Sequence, residues 1–190
     1  MRFLPPSSRR IEPWANGAGS TEVLWREPDD ANWCVRISIA NVVEEGPFSE
    51  LTDTRRLLVP LDAPMALRFA DGHRGHADRF CVLRFDGAPA PFGILPEGPT
   101  RDFNLMLRAD ARGELFARTL VDSQIFLPET GARWLIYVHR GNAQMVSGGK
   151  TLQLASGDAA MLDFADDPGR AAVEGGGELV LAKWHAPACA

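Results

Sequence analysis

Apolar and polar residues alternate with a period of two along much of this chain, and no segment holds a 3.6-residue period over three turns. Trp33 to Ala40 is the cleanest case. Trp33, Val35, Ile37 and Ile39 share one face, and Cys34, Arg36, Ser38 and Ala40 share the other. The first face is a core face. The second sets an arginine and a serine among small residues. That suits the wall of a polar pocket, or an edge strand with Arg36 in solvent. Thr100 to Arg108 repeats the device, with Phe103, Leu105 and Leu107 opposed to Asp102, Asn104, Met106 and Arg108. Such a polar row can present donors and acceptors to a ligand, or it can be a solvated outer face. Thr21 to Arg26 predicts a third strand, with Thr21, Val23 and Trp25 on one face and Glu22, Leu24 and Arg26 on the other. Further strands are predicted within His73–Phe85, Leu115–Leu120 and Glu178–Trp184. Turns are predicted at Gly46–Ser49, Asp166–Gly169 and Gly175–Gly177.

The pattern also repeats. Arg56 to Phe69 returns without a gap as Arg133 to Val146, so that Arg56 falls on Arg133 and Leu57-Leu58-Val59 on Trp134-Leu135-Ile136. Asp62-Ala63-Pro64 falls on His139-Arg140-Gly141, and Asp71-Gly72 on Gly148-Gly149. Each copy reads as a strand, a tight turn, a second strand and a Gly-containing hairpin turn. Two such halves of short antiparallel strands predict an all-β fold, a sandwich or a jelly roll, with little helix beyond a short piece near a Pro-rich crossing at Pro89–Pro99. That crossing sets the expected boundary: one barrel over 1–98, a second over 99–190, with the strand near 100–108 able to join the first. Residues 1–13 are expected to be extended.

Composition narrows the function classes. The chain has 190 residues, 45% of them hydrophobic, with 18 Gly and 14 Pro, which is globular and turn-rich. Net charge is −5, and lysine occurs only at Lys150 and Lys183, so no nucleic-acid partner is expected. Cys34, Cys81 and Cys189 are odd in number and far apart, as in a reducing compartment. Neither a secretory signal nor a run of about 18 apolar residues is apparent, so no membrane contact and a cytoplasmic location are expected.

Most familiar chemistry is missing. Jelly-roll barrels often hold a metal, but His73 and His76 stand three apart, on opposite faces of a strand, where a metal pair on a strand needs a spacing of two. His139 and His185 stand alone. No GxSxG is present, and nothing in the sequence near Cys34 would activate it. No cofactor is expected. The loop Trp14–Ser20 holds two glycines and an Asn, but it is neither a P-loop nor GxGxxG. What remains is a set of polar groups on strand faces and beside that loop: Asn16, Arg36, Ser38, Arg56, Asp102, Asn104 and Arg108. Arginines and amides of this kind can hold a small carboxylate or amide.

At these residues the chain resembles the HutD/Ves family. Trp14-Ala15-Asn16-Gly17-Ala18-Gly19-Ser20-Thr21 is similar to its WKNGGGxT segment, and Arg36-Ile37-Ser38-Ile39-Ala40 to its WRxSIA strand. Gly46-Pro47-Phe48-Ser49 resembles GPFS, Arg56-Leu57-Leu58 resembles DRxL, Phe85-Asp86-Gly87 resembles FxGD, and Asp102-Phe103-Asn104-Leu105-Met106 resembles DxNxM. The six segments keep their order from residue 14 to 108. Departures fall at Ala15, Ala18, Val35, Arg55 and Ala88, where the family has Lys, Gly, Trp, Asp and Asp.

The resemblance implies a bicupin fold, two tandem jelly-roll barrels, without the usual cupin metal ligands. It also implies a link to histidine utilisation, through sensing or limiting a small carboxylate such as urocanate or a formylglutamate-like derivative. The expected pocket lies in the N-terminal barrel, with Trp14 and Phe48 as apolar walls. Arg36, Arg56 and Arg108 are its expected cationic donors, and Asn16, Ser38, Asp102 and Asn104 its hydrogen-bonding groups. By analogy with cupins, a homodimer through sheet edges is expected. Two rivals stand beside this reading. One is a cupin-type isomerase or hydrolase, with Asp102 as acid or base or with a metal recruited by His73 or His76. The other is a family member with a vestigial pocket.

Overall fold

The structure, a computed structural model, describes residues 1–14, 19–166 and 169–185. Among these residues there is no α-helix, only one 3-10 turn at Pro6–Ser8, and no helix long and apolar enough to cross a membrane. The strands are β1 (Arg2–Leu4), β2 (Arg10–Pro13), β3 (Gly19–Glu27), β4 (Val35–Val42), β5 (Gly46–Pro47), β6 (Thr54–Pro60), β7 (Met65–Arg68), β8 (Arg74–Ala77), β9 (Leu83–Asp86), β10 (Phe92–Ile94), β11 (Thr100–Arg108), β12 (Arg112–Phe126), β13 (Arg133–Ser147), β14 (Lys150–Ala155), β15 (Ala159–Asp163) and β16 (Ala171–His185). The turn expected at Asp166–Gly169 falls partly outside the described residues.

The chain forms two compact units. One holds Arg10–Arg112, the other Met1–Arg9 with Gly113–His185. The division therefore falls at Arg112/Gly113 and not at the expected 98/99. The reason is β11, which pairs with β4 on one edge and β6 on the other, in the middle of the first unit's larger sheet. The Pro-rich crossing lies inside that unit and contributes β10. Residues 1–9 leave it altogether, since β1 pairs with β15.

In the unit of residues 10–112, a six-stranded sheet of order β2-β3-β4-β11-β6-β9 and a four-stranded sheet of order β5-β10-β7-β8 pack face to face. Ala40, Val42 and Leu58 from the first meet Met65 and Leu67 from the second, with Leu95 beside them. The alternation read from the sequence survives on β4 and β11. Ile37, Phe103 and Leu105 are fully buried on one face, while Ser38, Asp102 and Asn104 are buried on the other. On β3 the alternation breaks. A register shift between Val23 and Trp25 leaves Leu24 buried next to Val23, so the single face predicted for Thr21, Val23 and Trp25 does not hold along the strand. Gly46-Pro47 is a two-residue strand paired with Phe92-Gly93, not only a turn.

The unit containing residues 113–185 is filled with apolar side chains, among them Ile136, Val138, Met145, Leu162, Val173 and Leu181. The two copies of the repeat differ here. In the first, the chain leaves one sheet at Pro60 and enters the other at Met65. Thr100 Oγ1 accepts from the Ala63 N–H at 3.0 Å and holds this corner. In the second, no tight turn forms. β13 runs through as one strand, paired with β15 over Arg133–Tyr137 and with β14 over Asn142–Ser147, while β16 follows its other edge throughout. The bend comes from a bulge between Val138 and Arg140, next to Gly141 at φ +87°. Gly175–Gly177, predicted as a turn, is the facing part of β16.

Gly177 has φ +143°, and a Cβ there would overlap the Arg140 carbonyl oxygen. Gly176 has open space around its Cα. Gly177→Ala should therefore destabilise the protein by about 2–3 kcal/mol, a fall in Tm of roughly 4–12 °C. Gly176→Ala should leave Tm nearly unchanged. A calorimetric scan of both variants checks the pair.

Candidate functional site

The site is built from three neighbouring strands whose inward residues stand in register. Arg36, Met106 and Arg56 form one cross-strand row on β4, β11 and β6. Ser38, Asn104 and Leu58 form the next, and Ala40, Asp102 and Pro60 the third. β3 and β2 extend the third row, with Thr21 opposite Ala40 and Glu12 opposite Thr21. Polar members of these rows line a cavity of about 510 Å³. Its apolar lining includes Trp14, Val42, Phe48, Leu51 and Met106. Trp14 is fixed by its own indole, which donates to Thr21 Oγ1 at 2.8 Å.

Arg56 lies at the bottom of this arrangement, only 5% exposed. Its guanidinium carbon sits 5.0 Å from the ring centre of Phe48 and 5.1 Å from that of Phe85. The two rings fix where the charge lies. Nη2 donates to Asn104 Oδ1 at 3.1 Å. The Asn104 amide passes the connection on by donating through Nδ2 to Asp102 Oδ1. The result is a chain of cation, carboxamide and carboxylate along one barrel wall. It does not use up its members. Arg56 Nε and Nη1, Asp102 Oδ2 and Ser38 Oγ have no protein partner, and all four are closed off from bulk solvent. Each such group costs roughly 1–3 kcal/mol when buried unmet.

Burial pushes the Asp102 carboxyl up to about 6, against the opposing pull of Arg56, Asn104 and the Ala40 backbone. Burial likewise pulls the Arg56 guanidinium down to about 10, with Asp102 opposing. Arg36 is nearer the opening. Its Nη2 donates to Glu12 Oε2 at 2.8 Å, and Nη1 lies 3.8 Å from the Met106 sulfur. Burial lowers its pKa, and Glu12 offsets part of that.

Of the residues singled out from the sequence, Trp14, Arg36, Ser38, Phe48, Arg56, Asp102 and Asn104 all line this one cavity. Arg108 does not. It ends β11 beyond Met106, where its guanidinium stacks 3.8 Å from the Trp33 ring centre and Nε donates to Thr54 Oγ1 at 3.0 Å. Asn16 lies outside the described residues, as do Ala15 and Ala18. The sequence reading missed Glu12, Thr21 and Glu44, which also line the cavity. Thr21 stands on a strand that was recognised. Glu12 carried no local signal, because its place depends on β2 pairing with β3.

The donor set does not suit a cupin metal. The cavity offers carboxylates, two guanidiniums, an amide and hydroxyls, with no imidazole among its lining residues. His73 and His76 are exposed and pair with Asp71 and Asp78 at 2.6 and 3.0 Å. Among the described residues no three His, Cys, Asp or Glu side chains gather as a metal site.

The raised Asp102 pKa has a definite consequence for stability. The folded protein holds this proton up to about pH 6, whereas the ordinary value is 3.8. Between these values the folded state binds more protons, so this group's contribution to stability falls as pH rises and levels off above about 6. Wild type minus Asp102→Asn, measured by urea unfolding from pH 4 to 7, should show that decline. A flat difference would mean that folding leaves the Asp102 pKa in place.

Comparison with known proteins places this geometry. Residues 7–181 match the model of the HutD family. Protein Ves of Cronobacter sakazakii is 28% identical over 149 residues, covering 76% of this chain and 80% of that protein. Two solved structures superpose over nearly the whole chain. A conserved protein of unknown function from Pseudomonas aeruginosa does so with a TM-score of 0.84 at 23% identity, covering 97% of each chain. HutD from Pseudomonas fluorescens does so with a TM-score of 0.79 at 22% identity, covering 98% of each. A cupin barrel protein from Leptotrichia buccalis shares the fold at a TM-score of 0.57 and 12% identity, covering 88% of each. With its all-β barrels and the family match over nearly its full length, the chain belongs to the HutD family and has a cupin-type fold.

Proposed function

We propose that the barrel of residues 10–112 binds a small carboxylate metabolite and that this binding serves to sense or regulate histidine catabolism, in the cytoplasm. One observation carries the reading. A buried guanidinium lies against the edge-to-face pair Phe48 and Phe85 in a cavity wall, and Nε and Nη1 have no protein partner. A buried charge retained for stability alone is poorly chosen, since apolar residues of similar volume usually do as well or better. A carboxylate is the natural complement of the free donors, because it accepts charge-assisted hydrogen bonds from them. The cavity is large enough for a dicarboxylate of glutamate size and has apolar walls for its methylenes.

The link to histidine breakdown rests on kinship. A relative from Pseudomonas fluorescens bears the name HutD. Urocanate and formylglutamate-like acids are thus the first ligands to try. A second reading is favoured by Asp102 itself, a buried carboxyl with its pKa raised to about 6 in a cavity, which is how general acids and bases are tuned. An isomerase or hydrolase would consume the ligand, and product analysis after prolonged incubation separates the two.

A thermal-shift series with urocanate, formiminoglutamate, formylglutamate and glutamate tests the binding reading. A ligand at about 100 times its Kd adds roughly 2.7 kcal/mol, or roughly 5–10 °C in Tm. Arg56→Met should weaken the selected acid by about 10- to 100-fold, the worth of a charge-assisted contact. Affinity unchanged in that variant would remove Arg56 from the site.

A further inference from the structure

Two guanidiniums line the cavity of residues 10–112, and their partners differ in kind. Arg56 meets an amide, whereas Arg36 meets a carboxylate, its Nη2 donating to Glu12 Oε2 at 2.8 Å. The two arginines stand on either side of Met106 in one cross-strand row, so their backbones lie about 10 Å apart. They act on one another, since the charge on Arg36 opposes the charge on Arg56. Glu12 offsets that repulsion from the rim. It stands on β2, the edge strand of its sheet, and its side chain is 39% exposed against 14% for Arg36. Glu12 also has other partners in reach. Its second oxygen, Oε1, lies 3.3 Å from Arg10 Nε and 3.9 Å from Arg26 Nη1. Arg10 and Arg26 in turn each reach Asp29 Oδ1 at 3.0 Å. Arg10, Arg26 and Arg36 thus share Glu12 and Asp29, and of these two carboxylates it is Glu12 that lines the cavity.

We infer that Glu12 is an autoinhibitory counter-ion: its carboxylate occupies Arg36 in place of a ligand, and an incoming anionic group reaches Arg36 only by displacing Glu12 onto Arg10 and Arg26. This regulates the site proposed above and rests on its being a site for anions. Displacement costs little, because Glu12 keeps two guanidiniums when it gives up the third, and an ion pair with one partner this exposed is weak in water. The cost is not zero, because a charge-assisted hydrogen bond to a largely buried group is broken. The result is a threshold that depends on the ligand. One carboxylate is satisfied at Arg56, where Nε and Nη1 have no protein partner, and leaves Glu12 in place. A second anionic group extended along the row toward Arg36 has to compete with Glu12 for the same donor. Glu12 thereby sets how strongly that second group is held. Removing its charge frees Arg36 without touching Arg56.

The test uses pentanoate and glutarate, which share a five-carbon chain and carry one carboxylate or two. Titration calorimetry on the full chain compares wild type, Glu12→Gln, Arg36→Met and the double variant. Glu12→Gln should bind glutarate about 5-fold tighter than wild type, between the effect of an exposed ion pair and that of a buried charge-assisted contact. Its affinity for pentanoate should change by less than about 2-fold. Beside Arg36→Met the same substitution should give no gain, because the two residues act as a pair. A gain of equal size for both probes, or one that persists beside Arg36→Met, would show that Glu12 acts only through its general negative charge. That result would overturn the counter-ion role and leave the carboxylate reading standing, as would glutarate affinity unchanged in Glu12→Gln. No binding of either probe to wild type or to Glu12→Gln would overturn the carboxylate reading and this inference with it.

Discussion

Everything particular to this protein follows from keeping the Arg56 guanidinium charged inside a barrel. Burial makes that costly, and the surroundings are arranged to meet the cost at fixed points. Phe48 and Phe85 lie about 5 Å from the guanidinium carbon, Asn104 takes one donor, and Asp102 supplies the opposite charge through the amide. Arg56, Asn104 and Asp102 stand on the neighbouring strands β6 and β11, so the sheet sets the spacing of their backbones.

The two units show how a single strand pattern yields opposite interiors. Arg56 and Arg133 are equivalent in the repeat. In the first unit the arginine is buried among polar neighbours. In the second it is partly exposed and donates to Asp163 Oδ2 at 2.6 Å. Ile136, Val138 and Met145 of the second unit pack instead into an apolar cluster. The same strand pattern thus accompanies an apolar cluster in one unit and a polar cavity in the other.

How much of this could be read from the sequence depended on the range of the interactions involved. The period-two faces of β4 and β11 were legible because a strand displays its two environments along its own length. Arg36, Ser38, Asp102 and Asn104 were found that way. Glu12 was not, since its position is set by pairing between β2 and β3, which no local pattern announces. Arg108 was misplaced because periodicity gives a face and not a depth, and the last residue of β11 passes the cavity and stacks on Trp33. The three glycines at 175–177 looked like a turn because consecutive glycines usually mark one, whereas here Gly175 and Gly177 let β16 pass close to the Asn142 and Arg140 carbonyls of β13. The bulge after Val23 left no mark on the alternation of residues 21–26.

The pairing of β1 with β15 means that the covalent chain does not respect the division into units. Residues 1–9 belong with 113–185, and the first unit begins only at Arg10. A gene fragment ending at residue 112 would carry a strand whose partner is missing, and the fragment beginning at 113 would leave the outer edge of β15 open. Only a rearranged coding order, with residues 1–9 transplanted behind 185, would restore each unit as an uninterrupted polypeptide. A single cut in the chain therefore does not separate the two units.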